Sequence, residues 1–355
     1  MTGAEMEQSI TIQTGYARLK KNRALFIGGL LAALVILIGV AVTLGSADFT
    51  VAESYLAILA GLFPGTFTAP DMAGIIIWDY RLHRVLFAVC AGFGLAVAGS
   101  VMQGILRNPL ASPFTLGIAS AATTGASIAI VLGAGVVGGD YLVIGNAFLF
   151  ALLAALAIYG MARYRGIGSE TMVLAGIAIM YLFSAVTSLL QYVGSAEQLR
   201  AVVFWTFGSV DKSTWPKLAI VSLVLACTIP YLLYRSWDLN ALAEGDEVAA
   251  GLGVPVERSM IVFMMIASLI TAVIICFTGT IGFIGLVAPH ITRMAIGGDF
   301  RTLLPASGLV GALLLLGADS IARSVLAPQV LPVGIVTAFL GVPFFIYLFM
   351  HRRNA

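Results

Sequence analysis

From Ala24 to Leu44 the sequence carries no charge, and 34 uncharged residues separate Arg258 from Arg293. About 20 helical residues of apolar character cross a hydrocarbon layer roughly 30 Å thick. Charge recurs along this chain only in short clusters between runs of about that length. Soluble domains average about a quarter charged residues, whereas here 10% are charged and 60% hydrophobic. Folding alone cannot keep so much apolar surface from water, so a bilayer is the expected solvent.

Further spans are expected near residues 84–106, 114–134, 141–162, 170–193, 215–235, 258–278, 283–296, 303–325 and 331–350. With the first, that makes about ten transmembrane helices in an all-α polytopic fold. The stretch after Arg258 is too long for one crossing and too short for two full ones. Gly279, Gly282, Gly285 and Pro289 fall in its second half. A full helix, a tight turn and a shorter helix fit best, a break tolerated where it is buried in protein or lines a cavity.

Residues 1–23 are polar and end in Lys20, Lys21 and Arg23, which reads as a cytoplasmic tail before a transmembrane unit over residues 24–351. The apolar run exceeds the about 7 to 15 residues of a signal-peptide core, so an uncleaved first helix is expected, with cleavage near Ala47 as the alternative. The alternating loops then place Arg18, Lys20, Lys21, Arg23, Arg107, Arg163, Arg165, Arg235, Arg258, Arg293, Arg301, Arg352 and Arg353 inside. Arg81, Arg84, Arg200, Lys212, Lys217 and Arg323 fall outside. These account for all 19 Lys and Arg residues, and the excess inside obeys the positive-inside bias of prokaryotic plasma-membrane proteins. Two loops are long: an outer one at residues 45–83, with a short helix at Val51–Leu62 before Pro64, and an inner one at residues 236–257, periodic enough for one or two short helices.

No lysine follows a glycine, so the phosphate-cradling Gly-Lys-Ser/Thr loop is absent and any ATP must bind another subunit. His83, His290 and His351 have no metal-ligand spacing, and no nucleophile elbow accompanies them. Catalytic residues, a metal site and a cofactor on this chain are therefore not expected. Cys90, Cys227 and Cys276 lie far apart in apolar runs and read as small core residues. The net charge of +2 is spread over many loops, which gives nucleic-acid binding no support.

Particular residues suggest a family. Arg81-Leu82-His83-Arg84, Gly99-Ser100-Val101-Met102-Gln103-Gly104 and Arg107-Asn108-Pro109-Leu110-Ala111-Ser112-Pro113 stand in order. They are followed by Leu239-Asn240-Ala241-Leu242-Ala243, Gly279-Thr280-Ile281-Gly282-Phe283-Ile284-Gly285-Leu286 and Leu331-Pro332-Val333-Gly334. Together, over roughly residues 75–350, the chain resembles the FecCD permeases, which include importers of vitamin B12, haem and ferric siderophores. The resemblance implies a type II ABC importer permease: a homodimer of ten-helix subunits, two cytoplasmic ATPase subunits and an extracytoplasmic binding protein. An iron(III)-siderophore is the first substrate it implies, with haem or cobalamin as alternatives.

By the same resemblance, Leu239, Leu242, Gly245, Glu247 and Leu252 lie on coupling helices that sit in a groove of the ATPase. The residues agree, since Leu239, Leu242, Val248 and Leu252 can form an apolar strip beside Glu244, Asp246 and Glu247. Arg81, Arg84 and Arg323 would be sockets for glutamates of the binding protein, with local pairing of Arg323 to Asp319 four residues before it as the alternative. Asn108, Leu110 and Ser169 become candidates for the cytoplasmic gate, although Pro109 also serves as a plain helix stop. Trp205, Phe204 and Trp215 are expected near the outer mouth, with interfacial anchoring, the commoner role for Trp, as the alternative. Gly279, Gly282 and Gly285 are expected to allow close helix packing. His83 replaces the proline that the family often has between the two arginines and reads as a tolerated surface residue. Val330 replaces the family's glutamate before Leu331. The rival class is an ion-coupled secondary transporter, which needs a buried acidic site. Asp319 is the one clear candidate for it.

Overall fold

The computed structural model describes the backbone of residues 3–45, 49–63, 65–327 and 329–351. Ala47, Pro64, Arg352 and Arg353, named above, lie outside the described residues, as does the side chain of Arg18. Among the described residues there are helices and no strand. In chain order they are α1 (Gly3–Thr43), α2 (Val51–Leu62), α3 (Asp71–Ile76), a π-helical turn (Ile77–Leu82), α4 (His83–Ile105), α5 (Ile118–Leu132), α6 (Leu142–Arg165) and α7 (Ser169–Val193). There follow α8 (Ala196–Thr206), α9 (Trp215–Tyr234), α10 (Ser236–Glu244), α11 (Asp246–Gly251), α12 (Val256–Thr278), α13 (Ile284–Ile296), α14 (Phe300–Ser324) and α15 (Val333–His351).

Seven stretches are long and apolar enough to cross a membrane: Leu19–Thr43, Met72–Ile105, Gly139–Arg165, Ser169–Val193, Trp215–Tyr234, Val256–Thr278 and Phe300–Ser324. The shorter apolar helices α5, α13 and the Val333–Phe344 part of α15 occupy the other three expected spans. The short helix expected before Pro64 is α2. The second span differs from expectation, because helix begins near Asp71 rather than at residue 84 and reaches α4 through the π turn. Trp78, Asp79 and Arg81 read as loop in the sequence, yet tertiary partners hold them in helix. Trp78 Nε1 donates to the Ala57 carbonyl at 2.9 Å, and Trp215 Nε1 donates to the Trp78 carbonyl at 3.1 Å.

Helices α4, α12 and α14 are mostly covered by the rest of the chain, whereas the Leu19–Thr43 part of α1, α7 and α9 leave most of their surface free. In lipid no hydrophobic drive separates inside from outside, so close approach through small residues does the packing. At Gly99 of α4 an added Cβ would meet the Gly285 carbonyl oxygen of α13 at 1.8 Å, and at Gly92 it would meet the Gly311 carbonyl oxygen of α14 at 2.3 Å. The expected role thus holds for Gly285, and for Gly279, where a Cβ would stand 2.1 Å from the Trp205 carbonyl oxygen. Gly282 departs from it, with nothing within 4 Å. Cys276 is buried as expected, but Cys90 is half-buried and Cys227 is exposed on α9, a position where lipid serves a thiol as well as a core does.

The break between α12 and α13 is buried in protein. Ser209 N donates to the Thr278 carbonyl at 2.7 Å, Thr280 Oγ1 donates to the Thr206 carbonyl, and Gly334 N donates to the Gly208 carbonyl at 3.4 Å. Three irregular segments therefore satisfy one another's backbone groups, which hydrocarbon would leave unmet. Phe283 stands there at φ 68°, a left-handed conformation uncommon outside glycine.

Candidate functional site

Two charged clusters lie at opposite ends of α4 and α14. At the Arg84 end, Asp319 is fully buried, and Arg84 Nη2 donates to it at 2.8 Å and Arg323 Nε pairs with it at 3.1 Å. Arg84 also reaches Asp211, whose side chain is 57% exposed. Arg81 Nη1 donates to the carbonyls of Val42 (3.1 Å) and Thr43 (2.9 Å). Arg323 donates to those of Leu44 (3.1 Å) and Ala41 (3.2 Å). The last carbonyls of a helix have no partner within it and carry the negative end of its dipole. Two guanidiniums thus cap α1, a structural role for two of the arginines that the sequence reading expects outside. Asp319 is buried behind the arginines, whereas Arg81 and Arg84, also buried, line an open cavity of about 630 Å³ together with Arg323, Asp211, Lys212 and Val330. The local pair of Asp319 and Arg323 expected from their spacing is present.

His83 is a correction: it is 6% exposed, not a surface residue. Its Nε2 lies 2.6 Å from the Asp79 carbonyl, which can only accept, so this nitrogen carries a proton. Nδ1 faces Ser213 Oγ at 3.1 Å. Trp215 stacks on Trp78 with ring centroids 5.6 Å apart and meets His83 edge-on at 6.0 Å. The expected Trp215 thus lies at the Arg84 end, while Trp205 packs with the break between α12 and α13.

At the other end the centre is Asp299, the N-cap of α14. Arg301 donates to it at 2.6 Å, Arg23 at 3.1 Å and Asn240 Nδ2 at 3.1 Å. The Arg301 hydrogen bonds, aided by Asn240 and opposed by burial, hold the Asp299 carboxyl far below the usual carboxylate range. Asn240 Oδ1 accepts from Phe300 N at 2.9 Å, and Arg301 lies over the Trp237 ring at 4.3 Å. One carboxylate therefore joins α1, α10 and α14. Sequence reasoning did not single it out, although an aspartate just before an apolar run is an N-cap signal.

The candidate gate residues meet nearby. Asn108 Oδ1 accepts from Leu110 N at 2.9 Å, closing the turn, and Leu110 is exposed. Arg107, at φ 48°, donates to Ser169 Oγ at 3.3 Å and pairs with Asp246 at 3.2 Å. Arg107, which stands in a sequence motif but had no role assigned from it, thus connects the Asn108 turn, the start of α7 and the start of α11. Of the coupling candidates, Glu247 and Leu252 are exposed and Gly245 is half-buried. Leu239 and Leu242 are buried at 0% and 1% exposure, a correction to the single strip: they anchor α10 to the bundle. The free apolar surface is instead Trp237, Val248 and Leu252.

Between the two ends is a recess of about 600 Å³ beside the α12–α13 break, walled by Phe114, Phe207, Phe283, Phe339, Val342 and Pro343. Its lining carries no formal charge.

The model of the FecCD transport family matches residues 31–351. The chain is 38% identical over 291 residues to the cobalamin import system permease protein BtuC of Halobacterium salinarum, covering 82% of this chain and 77% of that one. It is 39% identical over 281 residues to the hemin transport system permease protein HmuU of Yersinia pestis, covering 78% and 84%. Among solved structures, a metal-chelate-type ABC transporter in an inward-facing conformation matches with a TM-score of 0.80 and 31% identity, over 92% of this chain and 98% of that one. The match over nearly the whole chain, with the helix order and paired charge clusters just described, identifies this protein as a member of the FecCD transport family.

Proposed function

We propose that the chain is the membrane-embedded permease of an ATP-binding-cassette importer for a metal chelate, with an iron(III)-siderophore as first substrate. Two copies would form the conduit in a prokaryotic plasma membrane, with the Asp299 end cytoplasmic and the Arg84 end facing a binding protein. ATP is bound and hydrolysed by two separate subunits. The observation that carries this reading is the surface of α10 and α11, where Trp237, Val248 and Leu252 stand exposed beside Glu244 and Glu247. An apolar surface rimmed by charge at the polar end of a bundle marks a protein-interaction site.

The uncharged recess supports a bulky chelate over a bare metal ion, which needs carboxylate, imidazole or thiolate donors. Among the described residues no three such groups come together. The relatives named for cobalamin and hemin supply the alternatives. At the Arg84 end, Arg81, Arg84 and Arg323 dock the binding protein through the cavity they line, and Asp211 and Lys212 offer the exposed charge. Exposed pairs add about 0.2–1 kcal/mol each and steer encounter. The ion-coupled rival is disfavoured because Asp319 is held by two arginines and is no free proton or sodium site. Vesicles holding the permease, its ATPase subunit and its binding protein are expected to take up a ferric siderophore at least about tenfold faster than haem or cobalamin. Faster uptake of either of the others overturns the substrate assignment.

A further inference from the structure

At the Asp299 end a cavity of about 660 Å³ opens between α10–α11 and the ends of α4 and α13. Most polar groups in its wall are satisfied among themselves, Asn240 by Asp299 and Phe300, and Arg107 by Asp246. Two are not. Gln103, 2% exposed, donates through Nε2 to the Leu286 carbonyl at 3.3 Å, while its Oε1 is buried without a hydrogen-bond partner among the described residues. Arg293 Nε is buried in the same state, and no described carboxylate pairs with this guanidinium. Arg293 as a whole is half-buried. An unmet buried polar group is unfavourable, so an unmet buried acceptor and a guanidinium with an unmet buried N–H, lining one cavity, point to a missing occupant.

That occupant must present an anion to Arg293 and an N–H or O–H to Gln103. Chloride offers acceptors only; hydrogen phosphate and a peptide loop with an Asp or Glu each offer both, and an exposed, partly apolar rim favours the loop. The volume admits a loop, and the rim is made of Trp237, Glu244 and Leu252, exposed to solvent. We propose that this cavity receives an acidic side chain from a loop of the ATPase subunit, with Arg293 as its counter-charge and Gln103 accepting a backbone N–H of the same loop. The inference rests on α10–α11 being the ATPase surface. It adds that the coupling contact is a plug reaching beneath these helices to α4 and α13.

The test measures affinity of the purified ATPase subunit for the full-length permease in nanodiscs, using variants that remain monodisperse. Arg293→Glu is expected to weaken binding at least about tenfold and Arg293→Lys by less than about threefold, as for truncating one partner of a buried charge pair. Reversing one Asp or Glu of the ATPase subunit to Arg should restore affinity for Arg293→Glu. If Arg293→Glu and Arg293→Met bind as wild type while Leu252→Asp binds weakly, the plug is wrong, water fills the cavity, and the coupling surface stands. If Leu252→Asp also binds as wild type, the coupling surface itself fails. If inorganic phosphate at millimolar concentration competes with the ATPase subunit for wild type and not for Arg293→Met, the cavity is an anion site and the plug is overturned.

Discussion

Gly99→Ala is expected to abolish the folded permease, reading out as loss of monodisperse protein after extraction from the membrane. The new Cβ would lie 1.8 Å from the Gly285 carbonyl oxygen and 2.5 Å from its carbon. Both obstacles are backbone, so no rotamer change relieves them, and α4 must move off α13. Overpacking in a core ordinarily destabilises by about 1–3 kcal/mol where side chains can yield, and a backbone clash at the most buried helix exceeds that range. Gly160→Ala on α6, with nothing within 4 Å, is the control and should extract and unfold as wild type, since alanine is the better helix former. Equal behaviour of the two variants would refute the packing described for α4 and α13.

Asp319→Asn is expected to destabilise by about 3–5 kcal/mol, the range for breaking a buried ion pair by removing one partner. The substitution keeps the shape and removes the charge that Arg84 and Arg323 share. Arg323 also holds the Leu44 and Ala41 carbonyls, so the end of α1 should loosen with it. Adding Arg84→Gln should return part of the loss, because one buried cation then no longer lacks its anion. Thermal unfolding in detergent checks this, and additive losses would show that the two residues do not act as a unit.

The spans were legible because hydrocarbon imposes a length and a charge filter that local sequence must satisfy. The break after Thr278 was legible for the same reason, since 34 uncharged residues fit neither one crossing nor two. The start of the second span was not, because Trp78, Asp79 and Arg81 look like loop until Ala57, Trp215 and the end of α1 are known to receive them. The inward turn of Leu239 and Leu242 was hidden by geometry. A short helix pressed between a bundle and a partner has two apolar faces, and periodicity alone does not tell which faces home. The charge clusters were half legible: Asp319 and Arg323 lie one helical turn apart, whereas Arg23 and Asp299 meet across 276 residues. His83 was misjudged because its partners, Ser213 and Trp215, come from a loop and helix about 130 positions away.

The two ends now carry a division of labour. At the Arg84 end, ion pairs and backbone caps tie α1, α4 and α14 together beside a solvent-open cavity. At the Asp299 end, α10 is anchored by Asn240 and Leu239, α11 by Arg107, and the apolar surface left over faces outward. On the proposed coupling, a push on α10–α11 would reach α1 and α14 through Asn240 and Asp299, and the Asn108 turn and α7 through Arg107. Such a push shifts the packing only as far as the pushing subunit binds one arrangement better than the other.

The most direct measurement is chelate uptake into vesicles holding the permease, with and without its ATPase subunit, ATP supplied at the Asp299 end. The account predicts uptake only when both subunit and nucleotide are present, and its loss with Leu252→Asp. Uptake driven by an ion gradient in vesicles that contain the permease alone would contradict it.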